Sequence, residues 1–139
     1  MILQQLVIGM AAIAASVVIH ASFMVVLLGH MERFPPHHRS SFARAVTMVG
    51  IVLWFFLSIC LICWGWAMLL RWLGALGSME EALYFATVTF TTLGYGDVVL
   101  EQRWRLLGVV AATNGTMIIG WTTAMIFVGV QRVYDEEDP

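Results

Sequence analysis

The sequence predicts an all-α membrane protein with three spanning helices and, between the second and third, a short helix followed by a loop that enters and leaves the membrane on one side. Three observations carry this. The chain of 139 residues is 60% hydrophobic and 12% charged, against roughly 25% charged in an average soluble domain, and its mean hydropathy is +0.86. Three apolar runs are long enough to cross about 30 Å of hydrocarbon. A fourth is not.

The first long run, Leu6 to Leu28, is interrupted by Ser16, His20 and Ser22 and followed by Glu32, Arg33, Pro35 and Pro36. Nothing basic precedes it and it exceeds a signal-peptide core, so it reads as a retained helix. The second, Ala45 to Leu70, contains Thr47 and Ser58 and stops at Arg71 and Gly74. The third, Leu106 to Val130, carries scattered threonines and Asn114 and stops at Gln131 and Arg132. The divisions expected are a spanning helix over 1–30, a cytoplasmic loop over 31–44, a pore domain over 45–131 and an acidic tail over 132–139.

The fourth run, Ala82 to Phe90, is too short to cross at 1.5 Å per residue. Ser78-Met79-Glu80-Glu81 ahead of it fits a capping box, with Ser78 accepting from an early backbone N–H and Glu81 reaching back. The helix then meets Thr91-Thr92-Leu93-Gly94-Tyr95-Gly96-Asp97, where two glycines break it. Non-helical backbone at membrane depth survives only against protein or a water-filled cavity. The segment therefore reads as a re-entrant loop lining a pore.

The stretch Thr92-Leu93-Gly94-Tyr95-Gly96-Asp97 resembles the selectivity filter of the potassium channel family, whose TVGYG string offers backbone carbonyls in place of the ion's water. It departs at one position, Leu93 for Val, which supplies a carbonyl whatever its side chain. The resemblance covers roughly Ala45 to Val130 and implies a small pore-domain channel conducting potassium passively. It places K+ at Thr92, Leu93, Gly94 and Tyr95, glycine at 94 and 96 for backbone freedom, Tyr95 behind the filter and Asp97 at the outer mouth. Filter support is expected from Tyr84, Val88 and Thr91. In some relatives a carboxylate stands where Val88 stands here, which leaves Tyr84 to hold Asp97 through its hydroxyl. One loop cannot surround an ion, so the resemblance implies a homotetramer with cyclic symmetry. The C-terminal end of each short helix would then bring about half a negative charge toward the central cavity.

On the third span, Thr113, Asn114, Thr116, Thr122 and Thr123 are polar for a lipid-facing helix, and Gly108, Gly115, Gly120 and Ala124 admit close contact or bending. Asn114, Gly115, Thr116 and Gly120 are the expected hinge or cavity residues. For the glycines the other reading is pure packing, and for Asn114 it is a bond to a neighbouring helix.

Arg33, Arg39, Arg44 and Arg132 fall on one side of the membrane and Arg71, Arg103 and Arg105 on the other. The excess of one arginine places the His-rich loop and the C-terminus in the cytoplasm and the N-terminus outside. A plasma membrane is expected, the inner membrane in a bacterium. Of the aromatic residues, Trp72 and Trp104 are candidates for an interfacial belt.

Several classes are excluded. The seven basic residues are all arginine and the net charge is −2, so no nucleic-acid surface exists. No nucleophile, base or metal-ligand cluster converges, which leaves no enzyme and no cofactor beyond permeant K+. No span repeats arginine at every third position, as a voltage sensor would. Cys60 and Cys63, three apart on one helix, lack disulfide geometry. His20 in mid-span is a functional suspect or a bonded structural histidine, the neutral ring being cheaper to bury than a charge. His37 and His38 read as a solvated loop, with a metal or pH-sensing site as the other reading, and the Asp135–Asp138 run as a solvated terminus. Two further functions stay open: a weakly selective cation channel, and a non-conducting membrane subunit or scaffold.

Overall fold

The computed structural model describes residues 2–33 and 40–134. They form four helices and, among the described residues, no strand: α1 (Ile2–Arg33), α2 (Ser41–Trp72), α3 (Met79–Phe90) and α4 (Arg105–Tyr134). His37, His38, Arg39 and the Asp135–Asp138 run lie outside the described residues.

α1, α2 and α4 are the three helices long and apolar enough to cross a membrane. At about 1.5 Å per residue they run some 45 Å, well past the hydrocarbon core. Their ends overshoot the apolar runs because polar residues there complete tertiary bonds. Gln5, beyond the first apolar run, is buried, and its Oε1 accepts from the Leu107 N–H in the first turn of α4 at 3.2 Å. The expected 31–44 loop is thus shorter than its bounds: α1 extends to Arg33, and Ser40 caps α2, its side chain accepting from the Ala43 N–H. Likewise α4 continues to Tyr134, three residues into the expected tail.

α3 begins where the sequence places it. Ser78, extended at φ −132° and ψ 161°, accepts from the Glu81 N–H at 3.1 Å. Glu81 reaches back one residue further than a capping box would, taking the Gly77 N–H at 3.1 Å. α3 lies against α2 and α4, and the main core forms there: Ile62, Trp66 and Leu70 of α2, Ala82, Phe85 and Phe90 of α3, Leu107, Ala111 and Ile118 of α4. Met31, Ile51, Phe55 and Val133 form a smaller core at the other end.

α1 is inside-out relative to a helix of a soluble protein. Its buried residues are Gln5, Gly9, Ser16, His20 and Met31. Ile2, Leu3, Val7, Val18 and Val25 are exposed. With lipid as solvent, apolar side chains gain nothing by leaving it, and the interface goes to small and hydrogen-bonding residues. The pairs Gln5 with Leu107, Gly9 with Val110, Ser16 with Asn114 and His20 with Thr122 climb both helices together, so α1 and α4 run parallel. α2 runs against both, meeting α1 at Ser58 with His20 and at Trp54 with Phe23.

Trp72 is 82% exposed, as an interfacial tryptophan would be, whereas Trp104 is buried. Trp104 therefore leaves the belt: its ring packs into the main core, with the Arg103 guanidinium over it at 5.5 Å. Cys60 and Cys63 are free thiols.

Candidate functional site

The site is built from the end of α3 and the loop that follows it. Phe90, the last residue of α3, lies against Gly115, where a Cβ would overlap its carbonyl. Gly115 is about 15 Å along α4 from Arg105 at 1.5 Å per residue, so α3 ends about a third of the way along that helix. Its last carbonyls are covered from the loop. Thr91 N donates to Thr87 O at 3.0 Å, and the Thr91 hydroxyl donates to the same oxygen at 2.8 Å.

The loop turns its own N–H groups back onto α3. Leu93 N and Gly94 N both donate to Val88 O, at 3.0 and 3.2 Å, and Thr92 N donates to Thr89 O at 3.1 Å. Val88 thus holds the loop by its backbone carbonyl, which a comparison of side chains at that position misses. The carbonyls of residues 92–96, by contrast, accept no hydrogen bond from the described residues. Backbone hand alternates along the same stretch: φ is +60° at Thr92, +55° at Gly94 and +78° at Gly96, while Leu93 and Tyr95 keep negative φ. Glycine tolerates that region; a β-branched residue such as Thr92 is held there against its preference. Leu93 and Tyr95 are 55% and 67% exposed within the single chain.

At the far end of the loop, the Tyr84 hydroxyl donates to Asp97 Oδ2 at 2.7 Å, and Val98 N donates to Asp97 Oδ1 at 3.1 Å. The Tyr84 bond is the main reason the Asp97 carboxyl lies below its ordinary range, and the same bond raises the Tyr84 hydroxyl.

The α4 residues named from sequence divide between two faces. Thr113, Thr116, Gly120 and Thr123 are exposed, with Val109, Met117 and Phe127 on the same side. Each of these threonine hydroxyls donates to the carbonyl four residues back, leaving its oxygen free to accept. Asn114 and Thr122 are not on this face. Asn114 is 1% exposed and donates from Nδ2 to Ser16 Oγ at 2.8 Å, and Thr122 meets His20. Asn114 is therefore removed from the cavity residues and takes the neighbouring helix. Gly115 is filled by the backbone of Phe90, while a Cβ on Gly120 would meet nothing within 4 Å.

Sequence reasoning missed Gln5, Ser16 and Ser58 as partners of α4 and His20. The spacing of polar and small residues at 5, 9, 16 and 20 in an otherwise apolar helix was the available signal. Among the described residues, no group of three metal-ligating side chains exists.

A loop of unpartnered carbonyls at the end of a short helix, framed by spanning helices, is the build of an ion channel. Comparison with known proteins agrees: residues 56–132, more than half of the chain, match the family model described as "Ion channel", and the chain belongs to that family. It is similar to the potassium voltage-gated channel protein Shal of Drosophila melanogaster, 33% identical over 60 residues. That match takes in 42% of this chain and 10% of the relative, so the chain spans about a tenth of the length of the curated relative it matches. No solved structure matches the chain.

Proposed function

We infer that four copies of this chain assemble into a potassium-selective channel, with residues 92–96 of each copy as the filter. The observation that carries this reading is the row of carbonyls at 92–96 without hydrogen-bond partners among the described residues, beside N–H groups that are tied back to Val88 and Thr89. Unpaired backbone oxygens are costly in a membrane interior unless something takes them. A dehydrated cation is what a column of carbonyls suits, and alternating backbone hand brings successive carbonyls to one side. Likeness to a named potassium channel over 60 residues supports K+ as that cation.

In this reading α3 is the pore helix, re-entrant to mid-membrane, with its negative C-terminal end toward the cavity. The exposed face of α4 lines the water-filled inner pore with threonine oxygens. α1 and α2 face lipid around the tetramer. The N-terminus lies outside, Asp97 at the outer mouth and the C-terminus in the cytoplasm of a cell bounded by this membrane. Permeant K+ is the only ligand the mechanism uses.

The test is reconstitution into liposomes and planar bilayers with potassium on one side and sodium on the other. A reversal potential near that for potassium is the expected result, with loss of current in Gly94→Ala. A value midway between the two ions overturns selectivity and leaves a general cation channel, a result to which Leu93 and the missing carboxylate at Val88 would point. Silence of the wild type at every voltage and pH overturns conduction and leaves a membrane subunit.

A further inference from the structure

His20 sits at the middle of α1 with 0% exposure. Both ring nitrogens are engaged: Nδ1 lies 3.0 Å from Ser58 Oγ of α2, and Nε2 lies 3.3 Å from Thr122 Oγ1 of α4. Phe55 and Trp121 flank the ring at 5.4 and 5.0 Å. One side chain thus joins all three spanning helices.

The protons of this junction can be assigned. The Thr122 hydroxyl has one hydrogen, and it is committed to Ile118 O at 2.8 Å. Its oxygen can then only accept from His20, so Nε2 carries the ring proton. Nδ1 is left as an acceptor, and the Ser58 hydroxyl donates to it. Neutral imidazole offers one donor and one acceptor, which is what this pair of partners needs. A second proton would put a donor on Nδ1, facing the Ser58 hydrogen, and an uncompensated charge in a dry, apolar setting.

No compensating charge is at hand. The groups facing the ring are Ser58 and Phe55 from α2 and Trp121 and Thr122 from α4. No Asp, Glu or Arg stands on α1 over 2–31, on α2 between Arg44 and Arg71, or on α4 between Arg105 and Arg132. Within those bounds the other titratable groups are the thiols of Cys60 and Cys63, the latter engaged with Thr87 of α3, and His30, about 15 Å further along α1.

We propose that α1 is a proton-operated latch on α4: neutral His20 bridges Ser58 of α2 and Thr122 of α4, and a second proton, on Nδ1, breaks the Ser58 bond and leaves an uncompensated charge that opens this three-helix junction and changes the open probability of the pore. This rests on the channel reading above. The junction lies on the face of α4 opposite the proposed pore lining, beyond the Phe90–Gly115 contact. Past it, α4 is held by the smaller core at Ile51 and Val133. A change there therefore acts on the half of α4 that the short helix does not hold.

The experiment measures potassium flux and single-channel open probability of the full-length protein in liposomes, at equal pH on both faces, from about pH 7.5 to about pH 5. The wild type is expected to change its open probability about fivefold or more, the lower end of ordinary coupling between sites. His20→Gln and Thr122→Val are expected to conduct at neutral pH and to lose that response. A wild type without a response, or a His20→Gln channel that keeps it, overturns the latch. If His20→Gln does not assemble, Thr122→Val decides alone, because it keeps the imidazole and removes only its partner on α4. A flat profile supports the latch, and a wild-type profile overturns it. Should no form conduct at any pH, the channel reading fails by itself, and ring 15N resonances of histidine-labelled protein still judge the junction. At neutral pH, His20 protonated on Nε2 alone supports it, and a proton on Nδ1 overturns it.

Discussion

The Tyr84 hydroxyl donates a 2.7 Å hydrogen bond to Asp97 Oδ2 across 13 residues of chain, tying the first turns of α3 to the end of the carbonyl loop. Between these two anchors lies every residue proposed to touch the ion. The other end is held by Val88 O, so the loop is pinned above and below while its carbonyls stay open. Removing only the upper anchor, in Tyr84→Phe, keeps the ring and its packing. Shorter open bursts are expected in bilayer recordings, by several-fold, with tetramer assembly intact. Unchanged conductance and burst length would make the bond irrelevant to conduction.

The same bond sets a pH dependence. Asp97 lies below its ordinary range, chiefly because Tyr84 donates to its charged form, with the Val98 N–H acting in the same sense and burial opposing. A depressed carboxyl is already ionised above its ordinary value and loses its charge only as pH falls through the lowered one. The contribution of this bond to loop stability is therefore full at neutral pH and disappears in acid below the usual carboxylate range. With acid on the outer side alone, conductance should hold through about pH 4, where free Asp titrates, and fall below it. In Tyr84→Phe the fall should begin at higher pH. Identical outer-pH profiles for the two proteins would contradict this.

How much of this was legible beforehand depends on whether the signal was local. The spans were, because length and apolarity suffice to find Ala45–Leu70 as the heart of α2. So was the start of α3, because Ser78 and Glu81 sit within one turn of the N–H groups they cap. The alternation of hand at 94 and 96 was foreshadowed by glycine, but at 92 it falls on a threonine, against its own preference. Of the α1 seam only the stripe of polar and small residues at 5, 9, 16 and 20 was legible, not the partners it meets. Ser16 finds Asn114 across 98 residues, and nothing in either neighbourhood distinguishes an interhelical amide from one facing a cavity. In lipid, the usual guide that apolar residues face inward is absent, so α1 gave no apolar face from which to read its partners.

Gly94→Ala separates backbone strain from crowding. A Cβ at 94 would meet nothing within 4 Å in the chain, so the cost is that of holding alanine at φ +55°. That is about 1–2 kcal/mol per copy, enough to shift the loop while leaving the helices folded. Circular dichroism and tetramer yield should match wild type while potassium current disappears. Leu93→Val, which keeps negative φ and the carbonyl, should retain both current and reversal potential.

Ser16 and Asn114 offer a direct measure of the seam. The Asn114 Nδ2 donates to Ser16 Oγ at 2.8 Å, and Ser16 in turn donates to Ala12 O at 2.8 Å. Interhelical bonds of this type in a membrane contribute about 0.6 kcal/mol on average and up to about 1.7. Ser16→Ala, Asn114→Ala and the double variant, unfolded in mixed micelles, should give a coupling energy in that range. Strict additivity of the two single changes would show that the Ser16–Asn114 bond adds nothing to the seam.

The resemblance to potassium channels puts the flexible point of α4 near Gly115, with Gly120 also among the expected hinge or cavity residues, and the surroundings of the two glycines part them. A Cβ on Gly115 would overlap the Phe90 carbonyl, at the point where α3 ends and the loop begins. Backbone cannot swing aside as a flexible side chain can, so Gly115→Ala must push α3 and α4 apart. Overpacking of this kind costs about 1–3 kcal/mol, and it lands directly beneath Thr91 and Thr92. Tetramer melting temperature and potassium current should both fall. Gly120→Ala places its methyl in open space on the exposed face of α4 and removes only backbone freedom. It should leave melting unchanged or slightly raised, because alanine favours the helix by about 1 kcal/mol over glycine. If α4 must bend at 120 for the pore to open, that variant would keep its fold and lose open probability, while Gly115→Ala would lose both. Equal melting temperatures for the two variants would place Gly115 outside the α3–α4 contact.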